Sequence, residues 1–541
     1  METLDFASIA DLSRQLRARQ LSPVELVDHC IARIERYDGQ LNAFLTPTLS
    51  KARADAKRAE AEIAGGTYRG PMHGIPYALK DIYETAGVRT TGHSRLFADF
   101  VPVEDAHSVA RLNASGAILL GKLATHEFAH GGPSFDLAWP PARNPWDPNH
   151  ETGGSSSGSG AAVAAGLVPL AMGSDTGGSI RSPAGLCGLV GLKPTYGRVS
   201  RHGIFANSYS YDHAGPLTRT VEDAAIALDA LSGFDARDPA SARVDAPKAQ
   251  AALDGNTGGL NGLRIGFIRH FFEDDMAVGD DVRSAIETAS EVFAHVGATI
   301  EPVRLRPLPV YQDIKVTQAE AEVFAIHRTD LQTRIDLYGR DFLGRVLPAC
   351  LLNGADYLAA SRERARVVEE MKPIYERFDL LLTIGPGPAP AFGRWRTLNF
   401  WEKGSITAPF NVTGAPALVQ CMGYNHQGLP LSLQLVGRPF DEATLLRAAH
   451  AYEHATQWLA RTPVLDELSL RPLPSEPDPA ASSLSGAERA QVEACVAHAE
   501  LTLSEPLFEQ LCATAPLVRA RVDRVGRGQS MYDGPSNVFR A

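Results

Sequence analysis

Residues 153–166 read GGSSSGSGAAVAAG. Three serines between glycines fit a loose linker, a phosphate cradle or part of a serine-based active site, and each demands different neighbours. A linker needs low-complexity surroundings. Here the run leads straight into Ala161-Ala162-Val163-Ala164-Ala165, a strong helix former. A phosphate cradle needs G-x-x-x-x-G-K-[ST], and no lysine follows these glycines. The nearest match, Gly116-Ala-Ile-Leu-Leu-Gly121-Lys122-Leu123, has a strand-like middle and Leu where the hydroxyl belongs. Gly154-Ser155-Ser156-Ser157-Gly158 fits a nucleophile elbow, G-x-S-x-G, but that turn follows a hydrophobic strand. The preceding NPWDPNHET, residues 144–152, is polar and turn-rich.

Two further segments decide between the readings. GSDTGGSIRSP, residues 173–183, sets Ser179 after paired glycines, and GIPYALKDIYETAG, residues 74–87, sets Lys80 after the apolar Tyr77-Ala78-Leu79. Each alone is ordinary, a serine in a turn and a lysine at a strand end. Together the three form a specific set.

The wider composition is that of a globular protein: 541 residues, 44% hydrophobic and 21% charged, with a net charge of −11. An acidic chain disfavours nucleic acid as the main partner, because phosphate binding needs clustered Lys and Arg. The six cysteines are scattered, with no C-x-x-C pair, so neither a disulfide framework nor a zinc site is expected. METLDFASIADLS has no basic-then-apolar leader pattern, and no apolar run reaches the ~18 residues of a membrane span. The expectation is a reduced cytoplasmic protein with no membrane partner.

Ser22-Pro23-Val24-Glu25 is a capping box with Pro at the first helical position. Val24, Leu26, Val27, Cys30, Ile31 and Ile34 then recur at helical spacing as far as a stop at Tyr37-Asp38-Gly39. A second helix is expected from Leu49 to Ile63 and a third near 108–115. Residues 117–120, 263–268, 380–384 and 431–436 read as buried strands. Strands interleaved with helices predict an α/β sheet covered on both faces. RPLPSEPDPAASSLSG, residues 471–486, reads as a Pro/Ser-rich linker. It divides a catalytic body, 1–470, from a helical extension, 487–541, with helices over 487–501 and 506–522 and a turn-rich end from 526.

Residues 153–200, with GPLTRTVEDAA (215–225), APFNVTGAPAL (408–418) and LPLSLQLVGRPFDE (429–442), resemble the amidase signature family over most of residues 1–460. The resemblance implies a large mixed, twisted β-sheet covered by helices on both faces. It also implies a catalytic trio of Lys80, Ser155 and Ser179, with Ser179 as nucleophile. Ser155, held across a cis Gly154–Ser155 peptide and contacting substrate, relays the proton to Lys80. A serine hydroxyl needs such a base, and Lys80 can be one only if burial lowers its pKa from about 10.4. The backbone N–H groups of Thr176, Gly177, Gly178 and Ser179 would form the oxyanion hole, with Ser156 as a supporting hydroxyl. Asp175 and Arg181 are either a surface ion pair or, as the resemblance implies, a buried brace for the loop. Among His126, His130, His202 and His213, His130 matches a substrate-contact position, and the others read as structural. Cys187, in an apolar setting, reads as core.

The expected activity is hydrolysis of the C–N bond of a small amide, carbamate or urea-like compound, without metal or organic cofactor. A homodimer is compatible with this reading. One alternative is the glutamine-using A-type component of the tRNA-dependent amidotransferase. That branch is expected to carry D-x-x-T-x-P-x-N, whereas this chain has Gly404-Ser-Ile-Thr407-Ala-Pro409-Phe-Asn411. Residues 493–511 resemble the small helical C-type component of the same amidotransferase. The second alternative is a catalytically dead scaffold, which predicts loss of a trio member. Residues 205–213 and Phe400-Trp401 are expected in the pocket wall.

Overall fold

The computed structural model describes residues 4–253, 259–394, 396–475 and 484–526. Eleven segments form one sheet: β1 Phe44–Pro47, β2 Pro76–Lys80, β3 Ile118–Leu123, β4 Leu170–Asp175, β5 Val190–Lys193, β6 His213–Thr218, β7 Arg264–Phe267, β8 Thr299–Pro302, β9 Leu380–Ile384, β10 Ala417–Tyr424 and β11 Pro430–Gly437. Their spatial order is β1-β3-β2-β4-β6-β5-β10-β11-β9-β7-β8. Parallel neighbours occur in two places, β3-β2-β4 and β9-β7-β8, and antiparallel pairs join them through the centre. The sheet is mixed, as the resemblance implied. Strands β2, β4, β9 and β11 are buried along their whole length, which requires cover on both faces and explains their largely apolar sequences.

The first long helix, α1 (Pro23–Leu41), starts where the capping box predicts: Ser22 Oγ accepts from Val24 N–H and Ser22 N–H donates to Glu25. It runs past the expected stop at Gly39 and ends at Asn42, which takes the left-handed conformation (φ 53°). The Asp38 carboxylate meanwhile accepts from Ala43 and Phe44 N–H. One glycine lowers helix propensity, but here the terminating interactions come three residues later. α2 (Leu49–Ala64) matches its expected span.

The serine-rich run becomes α3 (Ser157–Ala164), and α4 (Arg181–Cys187) follows the second glycine cluster; both are almost wholly buried. Two long helices without an expectation from sequence, α5 (Leu308–Thr333) and α6 (Gly354–Arg377), pack against each other. The extension supplies α7 (Gly486–His498) and α8 (Glu505–Gly526). α8 packs along α5 and α6, with Arg521 bound to Asp313 at 2.8 Å and to the Trp401 carbonyl. Gly526 belongs to α8, while the turn-rich end expected beyond it, and residues 476–483 of the expected linker, lie outside the described residues. Among the described residues no helix is long and apolar enough to cross a membrane.

Candidate active site

Lys80 ends β2 with no exposed surface. Its Nζ donates to Ser155 Oγ at 2.7 Å and to Ser174 Oγ at 2.9 Å. Burial pulls its pKa down to about 7, more than Asp212 and Asp175 restore. At neutral pH a large fraction is therefore the uncharged amine, the form able to accept a proton.

Ser155 follows a cis Gly154–Ser155 peptide. Gly154 is sterically obligatory, since a Cβ there would lie 2.1 Å from His126 Cε1. The Ser155 carbonyl accepts from His126 and Ser157 N–H, each at 2.9 Å. Ser156 Oγ accepts from Ser174 N–H and donates to Ser174 O, both at 3.3 Å, so it ties the serine loop to the end of β4.

Ser179 lies in the turn after β4 and lines a cavity of about 420 Å³ with Gly153, Gly154, Gly177 and Gly178. Its carbonyl accepts from Ser156 N–H at 3.4 Å. The Ser179 hydroxyl makes no hydrogen bond among the described residues, so the expected link from Ser179 to Ser155 is not closed here. Such contacts commonly tighten only around substrate.

The expected set of four oxyanion donors needs one correction. Gly178 N–H donates to Asp175 Oδ1 at 2.8 Å. It is held by the brace and is not free to meet a substrate oxygen. Thr176, Gly177 and Ser179 N–H have no protein acceptor among the described residues. Gly178 serves by shape instead: it sits at φ +136°, and a Cβ there would lie 2.3 Å from Thr407 Oγ1.

Asp175 and Arg181 are both fully buried, which excludes the surface-pair alternative. Asp175 accepts Arg181 Nε and Nη2 at 2.9 Å each, and also Ile180 N–H. Burial raises the Asp175 pKa, but the Arg181 guanidinium outweighs it and holds the carboxyl below the usual range. Arg181 also reaches Thr407 O (2.9 Å), Asn411 Oδ1 (2.6 Å) and Gln434 Oε1 (2.7 Å). Thr407 Oγ1 donates to Gly177 O at 2.5 Å. The glycine turn is thus clamped from a segment far away in the chain. Gln434 is a participant that sequence reading missed; Thr407 and Asn411 were visible only as letters of a motif.

His130 is buried in the cavity wall, its Nε2 3.0 Å from Glu320 Oε2 and its ring edge-on to Phe342 and Phe400. His126 Nδ1–H donates to Gly131 O at 2.8 Å, and burial drives its pKa down to about 3. His213 contacts the Asp175 and Tyr211 carbonyls, and burial places it well below its ordinary value. Cys187 is buried, and desolvation pushes its thiol upward, consistent with core packing.

Asn207 and Phe400 line the cavity as expected. Trp401 does not: its indole donates to Gly344 O at 3.4 Å and it packs with Val316 and Val518 under α8. Sequence reading also missed Lys315, Arg345 and Glu151 in the wall. Burial raises the Glu151 carboxyl to about 8. Among the described residues no three His, Cys, Asp or Glu side chains cluster as metal ligands would.

An amidase family model matches residues 25–446. The A-type component of glutamyl-tRNA(Gln) amidotransferase from Chloroflexus aurantiacus is 40% identical over 492 residues, covering 86% of this chain and 100% of that relative. Among solved structures, one from a vestigial protein complex described as revealing the origins of an s-triazine catabolic enzyme is 33% identical. It has a TM-score of 0.76 and covers 82% of this chain and 98% of its own. A peptide amidase from Stenotrophomonas maltophilia is 30% identical with a TM-score of 0.73, covering 85% and 99%.

Proposed function

The chain belongs to the amidase family and is a hydrolase of amide C–N bonds; from that premise we propose that it cleaves a small amide, carbamate or urea-like compound through an acyl-enzyme on Ser179. The observation carrying the reading is Lys80, buried and, among the described residues, with its amine bonded only to hydroxyls. In this reading Lys80 takes the Ser155 proton as Ser155 takes that of Ser179, and the freed alkoxide attacks the carbonyl carbon. The N–H groups of Ser179, Gly177 and Thr176 receive the developing oxyanion; each such donor is worth roughly 3–4 kcal/mol. The proton returns through Ser155 to the departing nitrogen, which leaves as ammonia or an amine. Water then enters by the same relay and releases the acid.

The catalytic unit is assigned to residues 1–470. The extension from 487 is a brace rather than a source of reacting groups, because α8 reaches the site through Asp313, the segment carrying Trp401 and the helix carrying Arg345, and gives no described residue to the cavity wall.

A second reading has glutamine as the amide and the chain as the A-type component of an amidotransferase. The curated relatives, named as such components, favour it. In that reading the chain works within a protein complex. Against it stands Gly404, where a side chain would meet open space and no carboxylate is present to receive an α-ammonium. A cytoplasmic location suits both readings. Ammonia release from glutamine and from a panel of aryl, alkyl and urea-type amides, with Ser179→Ala as control, separates them. Release from simple amides is expected. Release from glutamine alone would transfer the assignment to the amidotransferase reading, and release from none would leave a scaffold.

A further inference from the structure

Lys315 enters the cavity from α5, almost wholly buried, and its amine stands beside the turn that carries Ser179. A Cβ on Gly177 would lie 3.1 Å from Lys315 Cε and 3.3 Å from Nζ. The nearest carboxylate, Glu320, is 4.0 Å away, beyond hydrogen-bond length, and is itself 3.0 Å from His130. Burial works against the Glu320 carboxylate, but His130 and Lys315 outweigh it and keep it ionised. Lys315 Nζ, with three donors to place, has no hydrogen-bond acceptor among the described residues. A buried ammonium in that position is costly unless something in the cavity accepts from it.

The surroundings define what that acceptor is. The Phe400 ring centroid lies 5.5 Å from Lys315 Nζ and 4.4 Å from Arg345 Cζ, so two cationic side chains lie against one aromatic ring. Arg345 has Asp341 at 3.6 Å. Glu151, the carboxyl in the wall, is raised to about 8 and is mostly neutral at pH 7. It does not repel an anion. At Gly404 there is no carboxylate to match a cationic group on the ligand. Burial works against the Lys315 charge and Glu320 opposes that, so the amine left without a hydrogen-bond acceptor is the feature of the wall that calls for an anionic group on the ligand.

We infer that the amide hydrolysed here carries a carboxylate, and that Lys315 holds it beside the Gly177 turn while Ser179 faces the amide carbon. This rests on the hydrolytic reading above but adds a specificity determinant to it.

The probes are succinamate, an amide with one carboxylate, and its neutral diamide analogue succinamide. Wild type is expected to favour succinamate by at least about tenfold in kcat/KM, since a hydrogen bond to a charged group commonly contributes that much. Lys315→Met should cut the preference for succinamate over succinamide in kcat/KM by about tenfold or more, chiefly through the KM for succinamate. Lys315→Arg should recover part of the preference, which a merely structural lysine would not do. Equal losses for both probes, or no preference in wild type, would overturn the inference. Binding of succinamate to Ser179→Ala by calorimetry separates the two levels. Binding that Lys315→Met weakens, without turnover in wild type, would keep the anion site and remove the hydrolytic reading. Absence of both binding and turnover would overturn the anion site.

Discussion

Lys80 and Lys122 sit on adjacent strands one register step apart, Leu79 facing Lys122 and Lys80 facing Leu123. Both are fully buried, yet their surroundings give them different chemistry. Lys122 Nζ donates to the Tyr83 carbonyl at 2.7 Å and Thr90 Oγ1 at 2.6 Å, and lies 3.2 Å from the buried Asp81 carboxylate. Lys80 donates to two hydroxyls and, among the described residues, touches no carboxylate. Burial lowers both; at Lys122 the contacting Asp81 opposes it, and at Lys80 the more distant Asp212 and Asp175 oppose it less effectively. Depth alone does not make a lysine a base. What matters is whether its partners favour the charged form.

Exchanging the two roles is the strongest test. Lys80→Met is expected to lower kcat by about 10³-fold or more, as removal of a nucleophile's activating base does. Its thermal midpoint should stay within a few degrees of wild type. Retained ammonia release would remove Lys80 from the reaction. Lys122→Met should do the reverse. It strands the Asp81 carboxylate, a change costing about 3–5 kcal/mol for a broken buried pair, readable by denaturant titration. A loss under about 1 kcal/mol would mean that the Lys122–Asp81 pair contributes little to the stability of the fold.

Gly178→Ala probes the turn rather than the amine. A Cβ at φ +136° meets Thr407 Oγ1 at 2.3 Å, and displacing the turn should cost about 10²-fold in kcat/KM. Unchanged kinetics would mean the turn is looser than its contacts indicate.

The pH profile gives the finest discrimination. Lys80 accepts a proton only when neutral, so activity should fall about tenfold per unit as pH drops below about 7, and level off above it. Ser174→Asp would place a carboxylate against Lys80 as Asp81 lies against Lys122. The charged form is then favoured, and the acid limb should move upward by about 1–2 units. A limb that stays put would assign it to another group.

Much of this arrangement was readable in the linear chain. The strands at 380–384 and 430–437 are apolar runs because both faces are covered, and the capping box fixed the start of α1. The glycines around Ser155 and Ser179 advertise tight backbone approach, and Lys80 sits at the end of a strand's apolar run. The helix carrying Lys315 left no such mark. Its Gln312, Asp313, Lys315, Gln318, Glu320 and Glu322 are buried along with its apolar residues, so no one-sided apolar stripe exposes it.

The residues themselves therefore specified the sheet class and the need for small residues in the turns, because those depend on local periodicity and on short-range steric demands; the trio was proposed through the family resemblance alone. Tertiary structure alone decided that Thr407, Asn411 and Gln434 close on Arg181, that Gly178 spends its N–H on Asp175, and that Lys315 faces Gly177. Such convergence follows from the sheet order, which brings distant segments to one place. Burial and partners then set each group's charge, and neither is written in sequence spacing.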